Sequence, residues 1–143
     1  MPTDKRLTRS SFSGHIQPIS TRRLMPLLPR RIWSDSDWQR IQLGYRAPSM
    51  DQKWDVFTED NVAFLHRSWT GFGIFEATFS PVDGGGRQIT EGVVERDPER
   101  YRGQDDEYDC LIMELVLSAV VLGEPAEDLR ATFREFVRQG RGR

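Results

Sequence analysis

The chain has 143 residues, of which 37% are hydrophobic and 29% are charged, and its formal net charge is −2. This length predicts one folded domain, and the four Trp, eight Phe and three Tyr residues provide large apolar side chains for a core. A single cysteine excludes an intrachain disulfide, and no apolar stretch reaches the roughly 20 residues that a membrane-spanning helix requires. We therefore expect a cytoplasmic protein that does not enter a membrane.

The first 31 residues carry seven basic side chains and one acidic side chain, whereas the rest of the chain is net negative. Residues 1–30 also contain four prolines and show no periodic apolar pattern. This composition predicts a disordered basic arm over residues 1–30, followed by a single α+β domain over residues 31–140. The negative charge of that domain disfavours nucleic acid as a partner.

The first predicted element of the domain is a short helix over residues 34–44. Ser34 suits the N-cap, Asp35 and Asp37 suit the positive end of the helix dipole, and Gly44 can end the helix. From residue 53 the apolar pattern alternates with a period of two. It predicts strands over 53–58, 61–67, 73–79 and 87–96.

Short turns separate these four strands, so we expect them to pair as an antiparallel meander. The last strand is the most polar and contains Gly92, which predicts a position at the edge of the sheet. Apolar residues at helical spacing then predict helices over 105–122 and 125–139. The expected fold class is therefore α+β, with a four-stranded antiparallel meander sheet packed by two C-terminal helices and a short N-terminal helix.

The predicted ligand-binding site is the turn after the second strand, formed by His66, Arg67, Ser68, Trp69 and Thr70. It combines an imidazole, a guanidinium, two hydroxyls and an indole N–H. Arginine offers paired donors to a phosphate or carboxylate, and such turns can present several donors at once. The strand pleat places His66 and Arg67 on opposite faces, so one site can use both only if the strand bulges.

The same residues also suit a turn with no role in binding. In that interpretation Trp69 fills the core, His66 lies on the surface, and Arg67 pairs with an acidic side chain from the start of the long helix. The acidic candidates are Asp105, Asp106, Glu107 and Asp109. Acidic residues in a first turn also complement the helix dipole without any further role.

No catalytic residue can be assigned, although a buried Glu114 would be a general-acid candidate. The only histidines are His15 and His66, and phosphate-loop and nucleophile-elbow motifs are absent from the sequence. We therefore predict no metal site and no cofactor.

Over residues 38–122 the chain resembles a family of short, uncharacterised bacterial proteins built around a Lys-Trp strand and a His-Arg-Ser-Trp-Thr-Gly turn. The matching residues are Lys53-Trp54, Glu59-Asp60, the turn 66–71, Asp97-Pro98 and Asp105-Asp106. The resemblance implies a bacterial cytoplasmic protein and a role for the turn. The basic N-terminal arm departs from the compact pattern of the family.

These observations favour a non-enzymatic binding or interaction module, with the turn recognising a small anionic ligand or a partner protein. The alternative is an enzyme acting on a nucleotide-like or ADP-ribose-like substrate. In that case Arg67 would hold a phosphate, and His66 or Glu114 would act as acid or base. The alternative requires these groups to converge in one pocket, and the sequence leaves open whether any catalysis occurs.

Overall fold

The structure, a computed structural model, describes residues 6–141. Among these residues there are three α-helices, α1 (Asp35–Leu43), α2 (Asp106–Leu115) and α3 (Glu127–Arg138). The six strands are β1 (Arg22–Leu24), β2 (Ile32–Trp33), β3 (Trp54–Glu59), β4 (Val62–Arg67), β5 (Gly73–Pro81) and β6 (Arg87–Glu95). A 3₁₀ turn occupies Arg9–Phe12, and α2 continues directly into a π-helical segment at Val116–Val121. The predicted α+β class is confirmed. None of the helices in the described part has the length and apolar character needed to cross a membrane.

Strands β3 to β6 form the expected antiparallel meander, each pairing with the next. The prediction of a four-stranded sheet was wrong, because β1 and β2 add to it and both pair with β6. Strands of two or three residues are too short to show an alternating apolar pattern, which is why the sequence did not reveal them.

The position predicted for the last strand, β6, was also wrong. This strand lies inside the sheet, with β5 on one side and with β1 and β2 on the other. Close packing explains the glycine at position 92, because a Cβ there would come within 2.9 Å of the Met25 sulfur.

The N-terminal segment, residues 6–31, differs from the disordered arm predicted over residues 1–30. From residue 6 onward the structure places it against the sheet, and residues 1–5 lie outside the described part of the chain. Its buried apolar side chains include Phe12, Ile19 and Met25. These buried residues could not be predicted from the sequence, because they follow no helical or strand period and lie among prolines and polar residues.

Two arginines of the N-terminal segment pair with carboxylates of the sheet. Arg9 pairs with Glu59 at 2.7 Å, and Arg22 pairs with Glu76 at 2.9 Å. The buried carboxylate of Glu95 accepts hydrogen bonds from three backbone N–H groups, including that of Thr21 at 2.8 Å. These ion pairs and hydrogen bonds attach the basic N-terminal segment to the sheet, so it is not a free arm.

The helix α1 begins as predicted. Ser34 accepts a hydrogen bond from the backbone N–H of Asp37 at 2.9 Å, and the Asp37 carboxylate accepts one from the backbone N–H of Ser34. This reciprocal pattern is a capping box. The apolar side of the helix contributes Trp38 and Ile41 to the core.

The sheet has two covered faces, which separates its side chains into two environments. The helical face packs against α1, α2 and the π-helical segment, and its core includes Trp54, Leu65 and Met113. The opposite face is covered by the N-terminal segment, where the Phe12 ring lies 5.9 Å from the Phe57 ring. Consecutive residues of β4 therefore point into different surroundings, as the strand pleat requires.

Candidate functional site

The turn between β4 and β5 is held mainly by its own polar groups. Ser68 donates its hydroxyl hydrogen to the carbonyl of Gln52 at 2.9 Å. Trp69 donates its indole N–H to the carbonyl of Met50 at 3.0 Å, while its side chain remains 61% exposed. The Ser68 hydroxyl and the Trp69 indole N–H were expected to face a ligand, but both donate to the preceding loop. The face of the Trp69 indole stays exposed to solvent.

The remaining residues of the turn also serve its conformation. The Thr70 hydroxyl accepts a hydrogen bond from the backbone N–H of Phe72 at 3.2 Å. Gly71 adopts a φ of +79°, and a Cβ there would lie 2.0 Å from the backbone oxygen of His15. Only glycine fits this contact, because it lacks the Cβ and tolerates positive φ.

Replacing Gly71 with alanine is therefore expected to lower the free energy of unfolding by about 2–4 kcal/mol. The matched control is Gly84→Ala, since Gly84 has a φ of +91° but no atom lies within 4 Å of the place that a Cβ would take. The control should lose only the backbone strain, about 1 kcal/mol. Urea unfolding of the two variants measures the difference, and equal losses would contradict the close approach of the N-terminal segment.

His66 lies on the face covered by the N-terminal segment, and it is buried rather than exposed. Its Nδ1 is 2.9 Å from the carbonyl oxygen of Gly71, and its ring centroid is 5.5 Å from that of Phe57. Burial lowers the pKa of His66 below its ordinary value. The ring is therefore a neutral structural group that ties the turn to the sheet.

The lowered pKa of His66 predicts that stability falls on mild acidification. The unfolded ring takes up a proton near its ordinary pKa of about 6.5, whereas the buried ring resists protonation until a lower pH. Stability from this group is therefore complete above about pH 6.5 and declines below it, by at most about 1.4 kcal/mol per pH unit. Denaturant unfolding of wild type and His66→Asn from pH 7.5 to 5 tests this. Parallel slopes for the two proteins would contradict the prediction.

Arg67 points to the other, helical face. A bulge interrupts the pairing of β4 with β5 beside Leu65, yet the pairing with β3 is continuous and sets Arg67 opposite Trp54. The guanidinium carbon lies 4.4 Å from the centroid of the Trp54 ring, a cation–π contact. The bulge therefore does not bring His66 and Arg67 into one site.

Within residues 6–141 the guanidinium of Arg67 has no hydrogen-bond acceptor and no carboxylate partner. Its side chain is partly buried, and this burial lowers the pKa of Arg67 from its ordinary value. An arginine stays charged at neutral pH even so. The site thus holds a partly desolvated positive charge whose donors point to no protein acceptor.

The expected ion pair between Arg67 and the start of the long helix does not form. Asp109 pairs instead with Arg96 at 2.5 Å, and Asp106 lies 3.4 Å from the same guanidinium. Asp105 caps α2 by accepting hydrogen bonds from two backbone N–H groups. Arg96 lies just after the end of β6, and tertiary packing brings it, rather than Arg67, to this carboxylate cluster.

An inner cavity of about 230 Å³ opens beside Arg67, between the sheet and the helical layer. Four aromatic side chains line it, Trp54 and Tyr101 with Tyr108 and Phe133. Tyr101 is oriented by donating its hydroxyl hydrogen to Asp109 at 2.6 Å. Tyr108 packs its ring 6.1 Å from that of Phe133 on α3. The cavity is therefore an apolar recess with Arg67 in its wall.

The charged groups around the inner cavity are all positive. Lys53 and Arg130 line it with Arg67, and no described carboxylate does. Arg130 is partly engaged, since it donates to the carbonyl of Pro125 at 2.8 Å. Arg67 is the half-buried cation of the three, so its charge is the least screened by water, and the cavity favours a negatively charged group beside it.

An outer cleft of about 350 Å³ adjoins the inner cavity, because Lys53 and Arg67 line both. Its other walls come from Trp69, Thr70 and Phe72 of the turn, with Glu99 and Arg100 facing them. The Arg100 guanidinium covers the Phe72 ring at 4.5 Å from the centroid. Arg67 therefore lines two neighbouring spaces.

The π-helical segment forms part of the inner cavity wall. Val116, Ala119 and Val120 line the cavity from this segment. Ser118 within it is buried and accepts a hydrogen bond from Arg31 at 3.0 Å. Segments of π-helix are uncommon and are frequently found at functional sites, because the wider turn reshapes the adjacent surface.

The two residues proposed as acid or base lie apart. His66 is under the N-terminal segment, whereas Glu114 is on α2 and lines a separate surface hollow with Leu28 and Cys110. Burial raises the pKa of Glu114, but the carboxyl group does not face the inner cavity or the outer cleft. The structure does not bring His66, Arg67 and Glu114 together.

Sequence reasoning singled out Arg67 but missed most of the surrounding wall. Tyr108 and Phe133 lie in the two stretches of helical apolar spacing, 105–122 and 125–139, which predict helices but no site. Their convergence on Arg67 depends on how α3 packs on α2, and no local pattern encodes this. Lys53 was visible only through the resemblance to the bacterial family.

No protein-family model, curated protein or solved structure matches the chain. The resemblance to the bacterial family therefore stays a prediction. Among residues 6–141, no cluster of three or more His, Cys, Asp or Glu side chains is arranged to hold a metal ion.

Proposed function

We propose that the protein is a non-enzymatic binding module that takes a small anionic ligand at Arg67. The observation that carries this proposal is the unpaired guanidinium in the wall of an apolar cavity. A partly buried charge without a partner costs free energy, and proteins usually pair such groups. A bound phosphate or carboxylate would provide the missing acceptor in the paired geometry that arginine favours.

The surroundings of Arg67 support a small ligand over a partner protein. The inner cavity is concave and mostly apolar, with a few charged and polar groups in its wall, and this combination favours a small molecule. Lys53 is exposed at the mouth and adds a second positive charge for an incoming anion. A protein partner would have to insert a side chain into this recess.

The enzyme alternative has less support. It needs an acid or base within hydrogen-bond reach of a substrate held by Arg67. His66 is buried on the other face of the sheet, and Glu114 lines a different hollow. Tyr101, which lines the cavity, already donates its hydroxyl hydrogen to Asp109.

Titration calorimetry at low ionic strength with phenyl phosphate and with benzoate tests the proposal. Wild type should bind at least one of these anions, and Arg67→Met should bind it at least about 30-fold more weakly, the lower end expected when a charged partner is removed. Arg23→Met is the matched control, because Arg23 is exposed on β1 and its replacement removes the same charge away from the cavity. Equal weakening in both variants, or anion binding unaffected by Arg67→Met, would contradict a site at Arg67.

A further inference from the structure

We infer that the ligand carries its negative charge in the middle, as in a phosphodiester, with one group in the inner cavity and another in the outer cleft. This inference rests on the proposed function, since it assumes that an anion binds at Arg67. Its basis is the position of Lys53 and Arg67, which line both spaces at their junction. An anion held between them has room on two sides.

The inner cavity is too small to hold an ordinary ligand by itself. Its volume of about 230 Å³ falls below the roughly 300–1,000 Å³ typical of small-molecule sites. The outer cleft, of about 350 Å³, opens from the same two cations. A ligand with a terminal anion would fill one space and leave the other to solvent, whereas a central anion uses both.

The inner space suits an apolar group. Tyr108 and Phe133 form one side, and Val116 and Val120 of the π-helical segment form another. The hydroxyl of Tyr108 has no hydrogen-bond partner in the described part of the chain, and it is the uncharged polar group available inside. Burying a phenyl-sized group here would remove its apolar surface from water.

The outer cleft suits a planar aromatic group. The Trp69 side chain is 61% exposed, and the hydrogen bond from its indole N–H to Met50 fixes the edge of the ring. A flat, oriented and solvent-facing indole is a stacking surface. The Phe72 ring does not offer a second such surface, because the guanidinium of Arg100 already covers it.

Three phosphate probes with zero, one and two aromatic groups test this inference: inorganic phosphate, phenyl phosphate and diphenyl phosphate. Diphenyl phosphate should bind wild type at least about tenfold more tightly than phenyl phosphate, the gain expected from stacking a second ring. Calorimetry at one low ionic strength gives the three dissociation constants. Arg67→Met should weaken all three probes.

Two variants separate the two spaces. Trp69→Ala removes the outer stacking surface, and Ala119→Phe places a ring in the inner cavity from its partly exposed rim. Each variant alone should reduce the affinity for diphenyl phosphate to about that of phenyl phosphate, at least about tenfold. The affinity for phenyl phosphate should fall in one of the two variants, and the affinity for inorganic phosphate in neither.

The outcomes distinguish the inference from the proposed function. Phenyl phosphate that binds through Arg67 as tightly as diphenyl phosphate would overturn the central-anion inference and leave the anion site standing. An affinity for diphenyl phosphate that falls in only one of the two variants would also overturn the central-anion inference. Failure of every probe to bind in an Arg67-dependent manner would overturn both. Unchanged unfolding midpoints of Trp69→Ala and Ala119→Phe exclude misfolding as the cause of weaker binding.

Discussion

Replacing Arg67 with methionine is expected to weaken anion binding at least about 30-fold while leaving the unliganded protein equally stable or more stable, by up to about 2 kcal/mol. The opposite signs follow from one cause. The guanidinium is partly buried with no acceptor among the described residues. Its burial therefore lowers the stability of the free protein, whereas in the complex it binds the anion. Methionine matches its unbranched stem and can fill the space beside Trp54. The loss of the cation–π contact with Trp54 offsets part of the gain.

Urea unfolding with and without phenyl phosphate measures both effects. Wild type should be stabilised by the ligand, by about 2.7 kcal/mol at a hundredfold excess over the dissociation constant, and the variant should be stabilised much less. The comparison variant is Arg96→Met, because the Arg96 guanidinium is paired with the buried Asp109. Arg96→Met should lose about 3–5 kcal/mol, because it leaves a buried carboxylate unpaired. A similar loss for Arg67→Met would show that Arg67 is a structural cation.

Removing residues 1–30 is expected to prevent folding. The composition of residues 1–30 predicts a disordered arm, whereas the structure buries side chains of this segment in the core. Phe12, Ile19 and Met25 are exposed by 6%, 6% and 7%, and burial of each contributes about 1.5–3 kcal/mol. The deletion also uncovers Phe57 and one side of β6. The summed loss is comparable to the whole stability of a typical domain, about 5–15 kcal/mol.

Two point variants at neighbouring positions make this test quantitative. Met25→Ala should lower the free energy of unfolding by about 2–5 kcal/mol, because Met25 is 7% exposed and packs on β6. Leu24→Ala should change it by less than about 0.5 kcal/mol, because Leu24 is 62% exposed. Circular dichroism of the deletion and denaturant unfolding of the two variants provide the measurements. A folded deletion protein, or equal losses at residues 24 and 25, would contradict the attachment of the N-terminal segment.

The lowered pKa of His66 is a consequence of the same packing. Gly73 lies between the His66 ring and the N-terminal segment, since a Cβ at Gly73 would be 3.2 Å from the ring and 3.2 Å from the carbonyl oxygen of Gln17. Loosening of the N-terminal segment would return the ring to water and restore an ordinary pKa. The slope of stability against pH therefore reports on the attachment of this segment as well as on His66.

Local sequence determined the elements whose signals are local. Ser34 and Gly44 marked the ends of α1, since capping depends on residues within a few positions. The alternation of apolar residues predicted β3 to β5, because apolar side chains of these strands recur on the face that packs against the helices. Arg67 could be selected as an anion-binding candidate from the chemistry of its side chain.

Tertiary structure alone decided which elements and side chains pack against one another. The strands β1 and β2 exist because β6 offers them an open side, and their two or three residues carry no pattern of their own. Asp109 pairs with Arg96, just after the end of β6, whereas Arg67 at the end of β4 contacts the Trp54 ring. Arg67 is therefore left without a carboxylate partner beside a cavity. Charge pairing across long sequence separations is set by packing, which short-range patterns do not record.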